Sequence, residues 1–273
     1  MGKIKVRKKL RKKKSSNFSN YVLVALSILF IFLMFVSFFS DSPKKFKLEP
    51  RSENVEEIKE KDSAEFETVG WVRVQGTNID YPVINVLDYE YGHPIGVDSY
   101  AWSMNKKVGF QKKIDISGHN IMNLSANPIK KDESFIYFEE LMNYVYPEFV
   151  EENQFIQLNI DGNDYLYQVF SVNILGTYEV EGYLDLEKKD EIRDFLKFLK
   201  RSTLYNFDLV VDENDNLLCL YTCTRFYGAG RNVNLAVVAK LVDEDEKAKL
   251  VSFEKTERYD YVKDIMNGGV EDE

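Results

Sequence analysis

Two apolar runs of strand-forming residues, separated by a short loop that contains glycine, constrain the fold of this chain more than any other stretch. Residues 217–224 and 232–241 are both rich in Leu, Val and other strand formers. The loop between them contains Gly228 and Gly230, which permit the tight backbone that such a connection needs. We therefore predict two neighbouring, paired strands within residues 216–242.

The predicted strand pair carries a cysteine and an arginine at its loop end. Cys223 stands at the end of the first strand and Arg231 at the start of the second, so pairing is expected to bring thiol and guanidinium together. A thiol beside a fixed cation loses its proton more easily, and the same cation can stabilise the oxyanion that forms when a thiolate attacks a carbonyl. Arg225, two residues after the cysteine, is a rival cation. The strand pair therefore predicts the nucleophile and the cation of a nucleophilic site, but not its acid or base.

The other half of such a site is an acid or base, and the chain has only two histidines to provide an imidazole. His119 follows the alternating apolar stretch 113–117 and opens a loop, which is a common setting for site residues. His93 lies in a turn-rich stretch with no strand end beside it. We therefore expect His119 to be the partner of Cys223.

The two cysteines allow a structural disulfide as an alternative. Cys219 and Cys223 are four residues apart, so in a strand their Cα atoms are roughly 13 Å apart. A disulfide needs Cα atoms within about 7 Å. We therefore expect two free thiols, with Cys219 a buried packing residue and Cys223 the nucleophile.

Three motifs in this chain resemble those of the sortases, the membrane-anchored cysteine transpeptidases of Gram-positive bacteria. Residues 220–223, Leu-Tyr-Thr-Cys, followed by Arg231, resemble the Leu-x-Thr-Cys…Arg signature of that family. Residues 117–120, Ser-Gly-His-Asn, resemble its histidine motif. Residues 71–83 are similar to the early strands of class B sortases. The resemblance spans residues 69–242.

Two residues depart from the family pattern. Tyr221 replaces the small residue that often precedes the Thr-Cys pair. Arg225 stands where class B members often carry an acid. The role of an acidic partner at that place is therefore left open.

The resemblance implies a two-step acyl transfer. Cys223 would attack the carbonyl of a threonine in a C-terminal sorting signal of the Asn-Pro-x-Thr type, and His119 would protonate the departing amine. The donors of Arg231 suit the developing oxyanion. An amine of a cell-wall peptide would then resolve the thioester. Thr222 and Tyr221 become candidates for substrate binding, and neither a cofactor nor a metal site is expected.

Other functions remain compatible with the same residues. A pilin-polymerising sortase would use a lysine amine of another pilin as acceptor. A cysteine hydrolase of the cell wall would release an acid product instead. A membrane-tethered β-barrel interaction module without turnover is favoured only if Cys223 is buried or disulfide-bonded.

The N-terminal part predicts a membrane anchor. Residues 21–39 carry no charge over nineteen positions, enough to cross a hydrocarbon core of roughly 30 Å. Nine basic residues and no acid precede that stretch, so residues 1–20 are expected to stay in the cytoplasm and the remainder to lie outside the cell. A cleaved signal peptide is disfavoured, because the stretch exceeds a signal core and lacks a small-x-small cleavage site.

The basic N-terminus also raises the possibility of a nucleic-acid partner, which the rest of the chain disfavours. The 36 basic residues of the chain, less these nine, leave 27 against 45 acidic residues. Such an acidic body repels phosphate. We therefore expect no nucleic acid as a partner.

The remaining patterns predict the domain organisation. Residues 40–68 are a stalk, either a helix or a solvated linker, and residues 69–242 form the catalytic domain. Residues 243–273 are a charged extension, either a terminal helix or a disordered tail. We predict a mostly antiparallel closed β-barrel of about eight strands with peripheral helices.

Single elements of that domain can also be placed. The predicted strands are 71–74 and 79–86 in a hairpin, 155–160 and 165–175 joined by a turn at 161–164, and 209–211. The predicted helices are 134–146 and 184–201, and residues 88–107 are a long loop. Pro82 suggests an edge or a bulge in its strand.

Overall fold

Eight strands close into a barrel in the computed structural model of this protein, which describes residues 67–85, 101–120, 138–227, 233–243 and 248–267. Around the barrel the order is β1-β2-β3-β4-β8-β9-β6-β5, and β5 pairs with β1 to close it. Two further strands, β7 and β10, form a small separate sheet. The predicted closed β-barrel is confirmed. The bounds are β1 Glu67–Val74, β2 Asp80–Asn85, β3 Ala101–Ser103, β4 Lys113–Gly118, β5 Phe155–Ile160, β6 Asn163–Gly176, β7 Tyr205–Phe207, β8 Leu217–Thr224, β9 Val233–Leu241 and β10 Phe253–Lys255.

The predicted anchor at residues 21–39 and all but the last two residues of the stalk lie outside the described residues. Within the part of the chain that the structure describes, no helix is both long and apolar enough to cross a membrane.

Alternation along the strands separates the barrel interior from an outer face. Ile114 and Ile116 of β4 belong to the interior core, and Leu218 and Leu220 of β8 belong to it as well. The residues between them point outward, because successive side chains of a strand alternate between faces. On β8 and β9 these outer residues pack in a second apolar cluster with the helix at residues 189–202.

Both predicted hairpins are present. β1 and β2 pair around the turn at residues 75–78, and a 2.7 Å ion pair between Arg73 and Asp80 spans the two strands beside that turn. β5 and β6 are joined by Asp161 and Gly162, whose φ angles of 52° and 75° are those of a two-residue hairpin turn. The bulge that Pro82 suggests lies instead on the partner strand, between Thr68 and Gly70.

The helices differ from their predicted form in two places. A 3₁₀ helix, Phe138–Val145, replaces the described part of the predicted helix at 134–146, and its whole length is buried. The predicted apolar side chains Phe138, Leu141, Met142 and Val145 are all in the core. The predicted helix at 184–201 begins five residues later, as α3. The α-helices are α1 Pro147–Glu152, α2 Thr177–Glu181, α3 Lys189–Ser202 and α4 Glu257–Met266.

Two other predictions are wrong in part. Residues 209–211 form no strand, and the strand lies earlier, at β7, because Tyr205 is fully buried while Val210 is 85% exposed. The predicted long loop 88–107 contains the strand β3. For the C-terminal extension, the helical alternative is the observed one in α4.

Candidate active site

The predicted histidine and cysteine lie at the ends of two adjacent parallel strands. β4 and β8 pair in register from Lys113 with Leu217 to Gly118 with Thr222. One step further along the same register come His119 and Cys223. Neighbouring strands are about 4.8 Å apart, so the two residues occupy adjacent positions at one end of the barrel. Their catalytic roles remain predictions.

Both residues also belong to the outer face of the barrel. Alternation from the interior residue Leu220 places Tyr221 and Cys223 outward, and Tyr221 packs in the outer cluster beneath α3. The Cys223 side chain is neither fully buried nor exposed. A half-buried thiol at a strand end is accessible to a substrate and still partly shielded from water.

His119 is held between a tryptophan and the buried 3₁₀ helix. The imidazole and the Trp102 ring have centroids 4.8 Å apart with a 55° tilt. The His119 carbonyl oxygen accepts a 2.7 Å hydrogen bond from the Phe138 backbone N–H. Trp102 lies on β3, within the stretch predicted to be a loop, so sequence patterns alone did not identify it.

Three hydrogen bonds connect the histidine motif to the cysteine strand. The Asn120 side-chain amide donates to the Cys223 carbonyl oxygen at 2.8 Å. The Thr222 hydroxyl donates to the Gly118 carbonyl oxygen at 2.8 Å, and the Ser117 hydroxyl donates to the backbone of β8 at 3.2 Å. The Asn120 amide therefore joins the end of the histidine motif to the backbone of Cys223.

Gly118 is required by close packing. A Cβ atom at this position would overlap the Phe138 ring, which lies 2.5 and 2.7 Å from the ideal Cβ position at two of its carbons. Real Cβ atoms do not approach other heavy atoms so closely. The glycine of the Ser-Gly-His-Asn motif thus lets the 3₁₀ helix pack directly against the strand end that carries His119.

Gly118→Ala is expected to lower the free energy of unfolding by about 1–3 kcal/mol, because the extra methyl group overpacks the core. Any activity that depends on the His119 side chain is expected to fall as well, since His119 is the next residue. Chemical denaturation and a rate assay measure both effects. The control is Gly182→Ala, where the nearest atom to the added Cβ is 3.3 Å away. Equal stability of the two variants would contradict this explanation.

Burial is the main influence on the Cys223 thiol among the described residues, and it raises the pKa of that thiol above its ordinary value. The cation that the sequence predicts to lower this pKa, Arg231, lies outside the described residues. A thiol with a raised pKa is protonated at neutral pH, so attack on a carbonyl needs a base within reach. His119, at the neighbouring position, is the predicted base.

A buried polar cluster joins β4 and β8 a few residues before the strand ends that carry His119 and Cys223. The Lys113 ammonium pairs with the Asp115 carboxylate, and both side chains are fully buried. The Tyr221 hydroxyl donates to Asp115 at 3.0 Å, and the Asn105 amide donates to the same carboxylate at 3.0 Å. Burial is the largest single influence and lowers the pKa of Lys113, but Asp115 and Cys219 together outweigh it, so that pKa ends above its ordinary value.

Lys113→Met is expected to lower the free energy of unfolding by about 3–5 kcal/mol, because it leaves the buried Asp115 carboxylate without its cation. The double variant with Asp115→Asn is expected to recover part of that loss. Lys107→Met, which breaks an exposed ion pair with Glu187, is the matched control and should change little. Urea denaturation measures all three. A small effect of Lys113→Met would show that the ion pair does not stabilise the fold.

The other predicted site residues fall into three groups. Arg231 lies outside the described residues. Arg225 is described and exposed. Tyr221 is 1% exposed and Thr222 is fully buried, and both hydroxyls bond within the protein, so direct substrate contact by either would need a rearrangement. Their substrate-binding role remains a prediction.

The cysteines are both free, as the strand geometry predicts. Cys219 is fully buried, and burial raises the pKa of its thiol to about 12, so it is unreactive. Among the residues that the structure describes, no group of three or more His, Cys, Asp and Glu side chains could hold a metal ion.

No family model matches the sequence. Sequence similarity nevertheless connects the chain to two curated proteins. It is 24% identical over 201 residues to sortase B of Staphylococcus aureus, covering 71% of this chain and 75% of that protein. It is 24% identical over 190 residues to sortase B of Listeria monocytogenes, covering 65% of this chain and 72% of that protein.

The fold is also that of a solved sortase. The structure of Clostridium perfringens sortase B matches with a TM-score of 0.53 and 22% identity, over 69% of this chain and 100% of that chain. At that identity the match establishes the fold alone. Together with the curated relatives, it makes this chain similar to class B sortases in both sequence and fold, in agreement with the resemblance of its motifs.

Proposed function

We propose that this protein is a sortase transpeptidase that cleaves the C-terminal sorting signal of secreted surface proteins and transfers the acyl group to an amine of a cell-wall peptide. The observation that carries the proposal is the placement of His119 and Cys223 at adjacent positions, on the ends of two parallel strands. Nucleophilic cysteine chemistry needs a base near the thiol, and a histidine at the neighbouring strand position is suited to that role.

The first step forms a thioester. The Cys223 sulfur attacks the threonine carbonyl of the signal, and His119 accepts the thiol proton as the S–C bond forms. The resulting imidazolium gives that proton to the departing amine as the peptide C–N bond breaks. Burial raises the pKa of the Cys223 thiol, and a thiol that holds its proton needs a base for this step.

The second step transfers the acyl group. The nitrogen of an acceptor amine attacks the thioester carbonyl, His119 takes the amine proton, and the Cys223 thiol is regenerated when the C–S bond breaks. The oxyanion of each step needs a donor, and Arg231 is proposed for that role on the basis of its place in the motif. Arg225, which is exposed, is the alternative donor.

The proposed location is the outer face of the cell membrane. Residues 21–39 would anchor the chain with its N-terminus in the cytoplasm and the catalytic domain outside. Holding enzyme and anchored substrate in one membrane raises their effective concentration.

The proposed partners follow the similar proteins. Solved structures similar to this chain include a Staphylococcus aureus sortase B–substrate complex and a sortase B complexed with triglycine. We infer that the donor here is a sorting-signal peptide and the acceptor a primary amine. A sortase B from the type II pilus of Streptococcus pneumoniae also shares the fold, at 21% identity. A pilin lysine is therefore the alternative acceptor.

A peptide assay tests the proposal. The full-length chain in detergent is incubated with quenched fluorescent peptides that carry Asn-Pro-x-Thr or Leu-Pro-x-Thr-Gly, with triglycine or a lysine-bearing peptide as acceptor. We expect cleavage and an acyl–amine adduct detected by mass. Release of acid alone in the presence of both acceptors would indicate a hydrolase. No cleavage of any peptide would favour the non-catalytic interaction module.

A further inference from the structure

The segment that follows β9 is held against the barrel. Two buried glutamines form side-chain hydrogen bonds to the backbone of this segment. The Gln168 amide donates to the Lys249 carbonyl oxygen at 2.8 Å. Gln154 both donates to and accepts from the backbone of Val251, at 2.8 and 2.9 Å. These contacts fix the path of residues 249–251 along the outside of the barrel.

The same segment then docks its last helix. β10 pairs with β7, and the Thr256 hydroxyl donates to the Thr203 carbonyl oxygen at 2.7 Å while also capping the N-terminus of α4. From α4, Tyr259 and Val262 are buried in the interior core cluster. The helix is therefore held in one position by a strand pair, a cap and two core side chains.

From that position α4 reaches the loop that follows the cysteine strand. The Arg258 guanidinium donates a 2.9 Å hydrogen bond to the Tyr227 hydroxyl, four residues after Cys223. Arg258 also lies 5.0 Å from the Tyr261 ring on the same helix, which restricts its rotamers. At the other end of the bond, Phe226 is 8% exposed in the core, and its ring contacts the Tyr227 ring at 4.7 Å.

We propose that α4 is a positioning element for the proposed active site, and that Arg258 acts through Tyr227 to hold residues 225–227, which follow the end of the cysteine strand. Residues 224–227 are then fixed at both of their sides: Thr224 pairs with Val233 of β9, and Tyr227 is held by α4. This inference rests on the proposed transpeptidase function, because the loop would position the attacking sulfur. Misplacing a reacting group by about 1 Å can cost 100-fold in rate.

The test is a double-mutant cycle on the full-length chain in detergent, with Tyr227→Phe, Arg258→Ala and the double variant. Each single variant is expected to lower kcat on the quenched Asn-Pro-x-Thr peptide by about tenfold with KM little changed, the loss typical of one charge-assisted hydrogen bond. The double variant should lose no more than either single variant, since all three remove the same bond. Arg258→Lys, which keeps a donor, should recover part of the rate.

A second measurement is independent of the substrate. Hydrogen–deuterium exchange of the backbone amides that follow Cys223, measured in proteolytic fragments, is expected to be faster in both single variants than in the parent. The double variant should exchange at the same rate as the single variants. Lys263→Ala, an exposed residue of the same helix, is the control and should leave exchange and kcat unchanged.

The outcomes separate the two proposals. A parent chain that cleaves its peptide, with variants that match it in kcat and in exchange, overturns the positioning role and leaves the proposed function intact. Faster exchange without a fall in kcat overturns the role as well, because the bond would hold the loop for stability alone. A parent that cleaves no peptide overturns the function and with it the catalytic meaning of the bond, whatever the exchange shows.

Discussion

Cys223→Ala is expected to abolish cleavage of every sorting-signal peptide, with a fall in rate of at least about 1,000-fold. The reason is that the sulfur forms the covalent intermediate, and no other described thiol can replace it. Cys219 lies on the same strand but is fully buried. Fluorescence release and product mass on the full-length chain measure the effect.

The chain offers a matched control for this change. Cys219→Ala removes the only other thiol in the sequence and is expected to keep most of the activity, at some cost in stability from the cavity that it leaves. Full activity in Cys223→Ala would refute the nucleophile assignment. Equal loss in both variants, with both folded, would also count against it.

His119→Ala is expected to lower the rate of thioester formation by about 100- to 10,000-fold, the range for loss of a general acid or base. Burial raises the pKa of the Cys223 thiol, so without the imidazole the thiol keeps its proton at neutral pH. The residual rate of the variant should therefore rise as the pH is raised toward that pKa, since hydroxide then produces the thiolate directly. Rates measured between pH 6 and about 10 check this sign.

His93 is the only other histidine and provides the control for that variant. His93→Ala is expected to keep both the rate and its pH profile. If His93→Ala removed activity and His119→Ala did not, the choice between the two histidines would be wrong. Alkaline pH is expected to relieve the loss in His119→Ala only in part, because the proposed mechanism also needs the imidazolium to protonate the departing amine. A residual rate that does not rise with pH at all would contradict the role of His119 as the base.

Local sequence patterns predicted the strand that carries Cys223 and its neighbour in the barrel. The predicted run at 217–224 is β8, and the run at 232–241 differs from β9 by one residue. Both runs are apolar at nearly every position. A strand buried on both faces has this pattern, whereas a helix with one exposed side would show polar residues at helical spacing. The turn at Asp161 and Gly162 was likewise predictable, because those residue types favour positive φ.

Contacts between distant parts of the chain were not predictable from such patterns. The bonds that join the histidine motif to β8 connect residues 103 or 104 positions apart, and nothing local in either segment specifies that pairing. The family motifs indicated that His119 and Cys223 belong together, while the parallel register explains how they come to be neighbours.

Burial of acidic side chains was the other feature that sequence reasoning missed. Glu139 and Glu140 are each 1% exposed on the 3₁₀ helix, although carboxylates are rarely buried. β10 was missed for a related reason. It is three residues long in a charged stretch, and the contact that accompanies it, Phe253 on the buried Tyr205 ring, joins distant parts of the chain.

The most direct test of the account is the intact mass of the enzyme during turnover. The full-length chain is mixed with an Asn-Pro-x-Thr peptide without acceptor, quenched in acid and digested to locate the modification. The account predicts an adduct with the mass of the acyl fragment on Cys223, absent in Cys223→Ala and discharged when triglycine is added. Cleavage of the peptide with no adduct on Cys223, or an adduct at another residue, would contradict the account.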